Sequence, residues 1–177
     1  KDEYLLYLGW IVPEKELLTL VKSFKGVKTD KKLVIAGSSK DMPSYYEKLR
    51  QVAAEDPRIV FVGFAQDQVL EELFSNNYLY CLPSNIEGMP ISLLEALSFG
   101  NCCVCSDIPE CTEVLGEDGF TFPVGNEEKL RELIQRLCDK QVLVEDCKRR
   151  VNQHFAPMSW DEVTDRTLEL YQQKESC

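Results

Sequence analysis

Segments typical of strands and segments typical of helices alternate along almost the whole of this 177-residue chain. Short apolar runs are each followed by a turn and then by a stretch of ~10–15 residues with apolar positions at helical spacing. Strands that alternate with such helices form βαβ units, whose strands are parallel. We therefore predict one α/β domain, a doubly wound, Rossmann-like sheet of six parallel strands with helices on both faces.

The predicted strands are Tyr4–Gly9, Leu33–Ala36, Ile59–Val62, Tyr78–Leu82, Cys102–Ser106 and Gly119–Pro123. The predicted helices are Pro13–Phe24, Pro43–Glu55, Gln68–Asn76, Ile91–Phe99, Glu110–Leu115, Glu127–Asp139, Val142–His154 and Trp160–Gln173. Asp41, Asp67 and Asn126 are the expected N-caps of the second, third and sixth helices. Because ligands of such sheets bind outside the carboxyl ends of the strands, we expect a site in loops 9–15, 37–41, 63–67, 83–90 or 107–110.

Residues 83–107, PSNIEGMPISLLEALSFGNCCVCSD, carry two carboxylates eight positions apart. Glu87 stands in the loop before a helix and Glu95 inside it, within the segment ISLLEALSF, which is apolar on nearly every side. Such a helix is expected to be buried, and a buried carboxylate is costly unless it is paired. Glu95 therefore needs a buried partner, a wet cleft or a ligand rich in hydroxyl groups.

The start of this helix has the features of an anion site. Gly88 lets the backbone turn sharply and approach a ligand, and Pro90 suits the first turn, where its missing N–H costs nothing. Free N–H groups and the helix dipole attract negative charge. At ~1.5 Å per residue, Glu95 lies ~7–8 Å along the axis from the helix start. That span suits a diphosphate with hydroxyl groups on both sides.

Together these residues resemble the signature of the family-4 (group 1) retaining glycosyltransferases, enzymes of two-domain GT-B architecture. The matching positions are Pro83, Ser84, Glu87, Gly88, Pro90, Glu95, Ala96, Gly100, Ser106 and Asp107. The segments YLGWIVPEKE, KLVIAGSS, IVFVGFAQ and MSWDEVTDRTLELY resemble other elements of the family. The resemblance implies that residues 1–177 are the C-terminal, nucleotide-sugar-binding half of such an enzyme, and that an N-terminal acceptor domain lies outside the chain.

The resemblance also implies roles for particular residues. The catalytic residues are Glu87, which binds hydroxyls of the donor sugar and stabilises developing positive charge, and Lys15, which neutralises the leaving diphosphate. Glu95 accepts hydrogen bonds from both ribose hydroxyls. The other implied donor contacts are Gly9, Gly63, Phe64, Gly88, Met89, Pro90, Ile91 and Ser92, with the nucleobase at Gly63 and Phe64. The nucleotide-sugar is the substrate, and no metal or other cofactor is implied.

Each of the three charged residues also has a purely structural interpretation. Lys15 fits a solvated residue at a helix start. Glu87 fits a carboxylate that screens the following helix N-terminus, and Glu95 fits a buried structural hydrogen bond. Position in the sequence does not separate these interpretations from the functional ones.

Two residues depart from the family pattern. Trp10 stands where an Arg usually follows the strand-end Gly, and Glu16 where a Gly usually follows the Lys.

The main prediction is the donor-binding domain of a hexosyl-type glycosyltransferase in polysaccharide or glycoconjugate biosynthesis. Because Trp cannot supply a second cation to the phosphates, a non-catalytic nucleotide or nucleotide-sugar binding module is the alternative. A different GT-B enzyme is disfavoured by the Glu pair, and a dinucleotide oxidoreductase by the lack of a Gly-x-Gly-x-x-Gly after the first strand.

Composition limits the partners and the compartment. The formal net charge is −10 and no basic run occurs, which argues against nucleic acid as a partner. No apolar run reaches the ~18 residues of a membrane span, no signal peptide is visible, and peripheral membrane association of the full-length protein stays open. Five of the eight Cys are scattered without a disulfide framework, and this cysteine usage suits a reducing cytoplasm.

Two further expectations concern cysteines and the last helix. Cys102, Cys103 and Cys105 contain a formal Cys-x-x-Cys, but their apolar context and the single His predict buried strand residues without metal or disulfide. The apolar residues of the last helix do not fall on one narrow stripe, so we expect part of them to be uncovered in this chain. They are Trp160, Val163, Leu168, Leu170 and Tyr171. The alternative is that Trp160 anchors the helix to its own domain.

Overall fold

A computed structural model describes residues 3–39, 42–155 and 160–174. Six strands form one sheet, in the order β3-β2-β1-β4-β5-β6, and every pairing is parallel. The strands are β1 Tyr4–Leu8, β2 Lys32–Ala36, β3 Ile59–Gly63, β4 Leu79–Leu82, β5 Cys103–Ser106 and β6 Phe120–Phe122. The predicted doubly wound parallel sheet is confirmed.

Helices flank the sheet on both faces. They are α1 Leu17–Lys25, α2 Pro43–Ala53, α3 Asp67–Asn76, α4 Ile91–Ser98, α5 Pro109–Leu115, α6 Glu127–Asp139, α7 Gln141–His154 and α8 Trp160–Lys174. Helix α1 packs against α2 and α6, and α4 packs against α5. Within the described ranges, no helix is both long enough and apolar enough to span a bilayer.

The core consists of the central strands and the helix faces that cover them. Strands β4 and β5 are buried along their whole length, as expected of parallel strands covered on both faces. Cys102, Cys103 and Cys105 are fully buried, and all three are free thiols. Their predicted place at the fifth strand is therefore confirmed, where they pack as small apolar side chains.

The predicted first helix is divided in two. Pro13–Lys15 form a 3₁₀ turn, and α1 begins only at Leu17. Between them Glu16 has φ 50° and ψ 35°, in the left-handed region, which costs a non-glycine residue about 1–2 kcal/mol. This conformation gives a physical reason why a Gly suits the position. A hydrogen bond offsets part of this cost, because the carboxylate of Glu16 accepts from Thr19 Oγ1 at 2.7 Å.

The expected N-caps have different outcomes. Asn126 caps α6 as predicted, since its side chain accepts from the amide of Lys129 at 3.0 Å. Asp67 is the first residue of α3 rather than its cap, with φ 51°. Asp41 lies outside the described residues.

The prediction that the helix after Glu87 is buried on nearly every side is wrong. Ile91 is 63% and Phe99 39% exposed, and Leu94 and Glu95 are only half-buried. Leu93, Ala96 and Leu97 form the buried face of α4. Pro90 precedes the helix as its N-cap residue instead of lying in its first turn. The helix therefore lies at the edge of the core, and its outer face borders the crevice described below.

Helix α8 leaves apolar side chains uncovered, as predicted. Leu168, Leu170 and Tyr171 are each more than half exposed, and Val163 is half-buried. The side chain of Trp160 lies outside the described residues. Large exposed apolar groups on one helix are uncommon on a surface that faces only water.

Candidate active site at the carboxyl ends of the strands

The direction in which strands are added to the sheet reverses between β1 and β4. At such a switch point the connections that leave the two strands separate, and a crevice opens outside their carboxyl ends. Lys15 follows β1 and Glu87 follows β4. The fold therefore brings two residues that are 72 positions apart to the same crevice.

Lys15 and Glu87 form a close ion pair. The Lys15 Nζ lies 2.6 Å from Oε1 and 2.7 Å from Oε2 of Glu87. The Lys15 side chain is 20% exposed and that of Glu87 only 5%. Ser84 Oγ donates a further hydrogen bond to Glu87 Oε1 at 2.6 Å. The two charges balance each other, so an anion that recruits Lys15 must compete with Glu87.

The loops that carry this pair are tied to each other and to the sheet. The amide of Asn85 donates to the carbonyl of Glu14 at 2.9 Å, which joins the loop after β4 to the 3₁₀ turn after β1. The Ser106 hydroxyl, at the end of β5, donates to the carbonyl of Ser84. These bonds hold the Lys15–Glu87 pair in place without a ligand.

Glu95 lies on the side of α4 that faces the crevice. Among the described residues, none donates a hydrogen bond to its carboxylate, and burial raises its pKa above the ordinary value for Glu. Of the three environments that the sequence allowed for Glu95, the structure shows a cleft open to solvent. A half-buried carboxylate without a partner is available to a ligand that carries hydroxyl groups.

The start of α4 offers fewer free amides than the sequence predicts. The amide of Ile91 donates to the carbonyl of Met89 at 2.9 Å. The amides of Leu93 and Leu94 both donate to the carbonyl of Pro90. Three N–H groups near the helix start are thus already bonded, and less of the helix end is available to an anion.

Two clefts open along the strand ends. The first, which we call the acidic cleft, has a volume of about 260 Å³ and is lined by Tyr7, Leu8, Gly9, Trp10, Lys15, Leu82, Glu87, Met89, Ile91, Ser92 and Glu95. The second, the apolar cleft, has a volume of about 330 Å³ and is lined by Leu8, Gly9, Trp10, Ala36, Gly37, Ser38, Phe64, Ala65, Gln66, Asp67 and Leu70. Leu8, Gly9 and Trp10 line both, so the clefts form one groove across β1.

The structure places most of the predicted site residues on this groove. Gly9, Lys15, Glu87, Met89, Ile91, Ser92 and Glu95 line the acidic cleft, and Phe64 lines the apolar cleft. Gly63, Gly88 and Pro90 line neither. Pro90 is buried, Gly88 is exposed, and the carbonyl of Gly63 accepts from the amide of Gly37 at 2.7 Å. The hydroxyl of Ser92 is also engaged, since Tyr80 donates to it at 2.8 Å.

Several residues of the groove were not among the predicted site residues. They are Tyr7, Leu8, Trp10, Ala36, Gly37, Ser38, Ala65, Gln66, Asp67, Leu70 and Leu82. Most lie in or beside the strand-end loops 9–15, 37–41 and 63–67, where the sequence indicated that a ligand would bind. The loop ranges were therefore informative, but the residues within each loop that face the groove depend on three-dimensional packing.

Neutralising Glu95 is expected to stabilise the ligand-free chain at neutral pH. Burial raises the pKa of Glu95 in the folded state, so the carboxyl group favours folding below its unfolded pKa and loses that contribution as pH rises through the folded pKa. The variant Glu95→Gln should therefore have a higher Tm than the parent at pH 7, and the difference should shrink towards pH 4, as measured by calorimetry.

Glu132→Gln is the matched control for this measurement. A hydrogen bond from Lys129 lowers the pKa of Glu132, the opposite direction. Its neutralisation should not raise Tm at pH 7. A Tm for Glu95→Gln that stays at or below the parent value at pH 7 would contradict the assignment of Glu95 as an unpaired, desolvated carboxylate.

Comparisons with known proteins identify related chains. The model of the family described as "Glycosyl transferases group 1" matches residues 1–154. An uncharacterized glycosyltransferase of Methanocaldococcus jannaschii is 25% identical over 96% of the chain and 45% of its own length. The O-antigen chain mannosyltransferase B of Escherichia coli is 23% identical over 95% of the chain and 45% of its own length.

A solved structure shows the same fold. The Anabaena protein HepE, in complex with UDP and glucose, superimposes with a TM-score of 0.80 at 16% identity, over 99% of this chain and 49% of that one. The chain thus spans about half the length of each of these three proteins. The six-stranded domain corresponds to one half of a GT-B structure.

Proposed function

Because the chain belongs to the group 1 glycosyl transferase family, we propose that it is the donor-binding domain of a retaining, hexosyl-type glycosyltransferase. The meeting of Lys15 and Glu87 at the switch point, 2.6 Å apart, carries this proposal. Glu95 lines the same cleft as the pair. A cation, a carboxylate that can face a sugar, and a carboxylate that can face a ribose are groups that suit transfer from a nucleotide-sugar.

In the proposed reaction the donor lies across β1, with its nucleobase in the apolar cleft and its sugar in the acidic cleft. Negative charge develops on the leaving diphosphate as its bond to the sugar breaks; the acceptor hydroxyl bonds to the sugar and gives its proton to the departing diphosphate. Lys15 stabilises this charge, and a fixed cation contributes most where charge develops in the transition state. Glu87, released as Lys15 turns to the leaving diphosphate, faces the sugar hydroxyls and the developing positive charge. No metal has a part in this scheme.

The names of related proteins support the donor class and the pathway class. The HepE structure contains UDP and glucose, and the E. coli relative is an O-antigen chain mannosyltransferase. We place this chain accordingly in polysaccharide or glycoconjugate biosynthesis, with a nucleotide-activated hexose as donor. The alternative of a non-catalytic binding module gains no support from the M. jannaschii and E. coli relatives, whose names are those of transferases.

The acceptor is assigned to a second domain outside these 177 residues. The chain covers 45% of the M. jannaschii relative, and the exposed apolar residues of α8 offer a surface for another domain to pack on. Contact of the full-length protein with a membrane surface, if the acceptor is anchored there, is likewise assigned to that domain. A cytoplasmic location fits the seven free thiols among the described residues.

The function is tested by assaying the full-length gene product with a panel of nucleotide-sugars and acceptors. Transfer with release of nucleoside diphosphate is the expected result, and NMR of the product should show the anomeric configuration of the donor. An inverted product would contradict the retaining mechanism. Absence of transfer and of donor hydrolysis with every nucleotide-sugar would contradict the enzyme itself.

Glu95→Gln should weaken nucleotide binding while it stabilises the free chain. The amide accepts a weaker hydrogen bond from ribose hydroxyls than a carboxylate does, and the loss should be roughly 1–3 kcal/mol of binding free energy. Calorimetric titration of the 177-residue chain with nucleoside diphosphates measures it, with Glu132→Gln as the control. Equal affinities for Glu95→Gln and the parent would remove Glu95 from the ribose site.

A further inference from the structure

Trp10 occupies the middle of the groove. It follows β1 directly, its side chain is 56% exposed, and it lines both the acidic and the apolar cleft. A side chain of β1 fixes its main chain, because the hydroxyl of Tyr7 donates a hydrogen bond to the carbonyl of Trp10 at 2.7 Å. Tyr7 is fully buried, and burial together with the charge of Glu87 raises its pKa, so the hydroxyl stays a donor at neutral pH. The backbone that positions the indole is thus fixed.

The groove is poor in positive charge. Among the described residues that line the two clefts, Lys15 is the one cation, whereas Glu87, Glu95 and Asp67 are carboxylic acids. Lys15 is already paired with both oxygens of Glu87. A diphosphate that enters the groove therefore meets a net negative lining, and the amides of Ile91, Leu93 and Leu94 are already bonded within the loop and helix.

The groove is rich in accessible aromatic surface instead. Trp10 and Phe64, the latter 69% exposed, both line the apolar cleft. Exposed aromatic rings beside an apolar cleft offer faces on which a planar ring can stack, and such stacking depends little on charge. A volume of about 330 Å³ is at the lower end of small-molecule sites.

On the basis of the proposed function, we propose that Trp10 moves donor recognition in this chain from the diphosphate to the nucleoside. The indole stacks on the planar part of the donor, and the diphosphate contributes little to ground-state affinity because Lys15 is shared with Glu87. The ligand that this groove recognises is therefore a nucleoside, with or without its phosphates. Lys15 keeps its role for the transition state, when charge on the leaving group increases.

The test compares uridine, guanosine and adenosine with their diphosphates, titrated into the 177-residue chain at about 50 mM and about 500 mM NaCl, where electrostatic screening differs strongly. For the base that binds best, the diphosphate should bind less than ~10-fold more tightly than the nucleoside, and salt should change either Kd less than ~3-fold. A diphosphate that binds more than ~100-fold more tightly than its nucleoside would overturn the proposal.

Variants of Trp10 separate stacking from other effects. Loss of the ring in Trp10→Ala should weaken nucleoside and diphosphate alike by ~10-fold, the scale of one base–aromatic stack, while Trp10→Phe stays within ~3-fold of the parent. Trp10→Arg should weaken the nucleoside, tighten the diphosphate and make its affinity depend steeply on salt. Since Trp10 is largely exposed, Tm should be unchanged in all three, which circular dichroism verifies.

The outcomes distinguish this inference from the proposed function. If the parent binds a diphosphate tightly and Trp10→Ala binds the nucleoside as well as the parent does, the role of Trp10 is wrong and the donor-binding function stands. If neither nucleosides nor diphosphates bind the parent chain, both are contradicted.

Discussion

Replacement of Lys15 by Gln is expected to lower the kcat of the full-length gene product about 100-fold or more. The loss of one group that stabilises transition-state charge typically costs ~10²–10³ in kcat. Gln retains an N–H donor for Glu87, whose side chain is only 5% exposed, so the carboxylate is not left without a partner. Because Lys15 is shared with Glu87 before the donor reacts, KM should change much less than kcat.

Lys22→Gln is the matched control for this experiment. Lys22 lies in α1 and pairs with Glu127 at 2.8 Å, but both side chains are more than 40% exposed and neither lines the strand-end groove. An exposed pair of this kind contributes about 0–1 kcal/mol to stability, and its loss should not alter turnover. A kcat for Lys15→Gln within about 5-fold of the parent would contradict the catalytic role of Lys15.

Exchange of Gly37 for Ala is expected to destabilise the fold by about 3 kcal/mol or more and to lower Tm by roughly 6–12 °C. A Cβ atom at this position would lie 1.8 Å from the carbonyl oxygen of Gly9. The loops after β1 and β2 cannot separate freely. The amide of Gly37 donates to the carbonyl of Gly63, and the amide of Gly9 donates to the carbonyl of Ala36. The φ of Gly37, 157°, is also one that Ala rarely adopts.

Gly88→Ala provides the contrast in the same measurement. A Cβ at Gly88 would meet nothing within 4 Å, so its stability should stay within about 0.5 kcal/mol of the parent. Thermal unfolding followed by circular dichroism compares the two variants. A Tm for Gly37→Ala equal to that of Gly88→Ala would show that the loops after β1 and β2 are not packed as closely as described.

The fold could be predicted from the sequence because its signals are local. Apolar runs such as Leu33–Ala36 and helical periodicity such as that of Glu127–Asp139 are read within one segment, and their alternation determines a parallel sheet. The errors occurred where a single backbone conformation decides the outcome. Glu16 divides a continuous helical pattern because it adopts positive φ, and hydrophobicity does not report that.

The charged residues of the site could be predicted from the sequence, but the other residues that line the clefts could be predicted less well. Lys15, Glu87 and Glu95 belong to a recognisable pattern, and the structure brings all three to one cleft. The burial of α4 was overestimated, because the sequence of Ile91–Ser98 is apolar on every side although one side faces the groove. The position of Trp10 between two clefts follows from how β1, β2 and β4 assemble, which no local pattern contains.

The ion pair between Lys15 and Glu87 could also not be predicted from the sequence. Each residue had a separate implied role, one towards phosphate and one towards sugar. At 2.6–2.7 Å their side-chain atoms neutralise each other. The account therefore requires that Lys15 turns from Glu87 to the leaving diphosphate as the reaction proceeds, which connects the observed pair to the proposed chemistry.

A crystal structure of the 177-residue chain soaked with the best-binding nucleoside diphosphate tests the central claim most directly. The account predicts the base in the apolar cleft beside Trp10, the ribose hydroxyls at Glu95, and the phosphates towards Lys15. Nucleotide bound instead at the polar surface hollow between α1 and α6, which Gly26, Arg131 and Arg136 line, with both strand-end clefts empty, would contradict it.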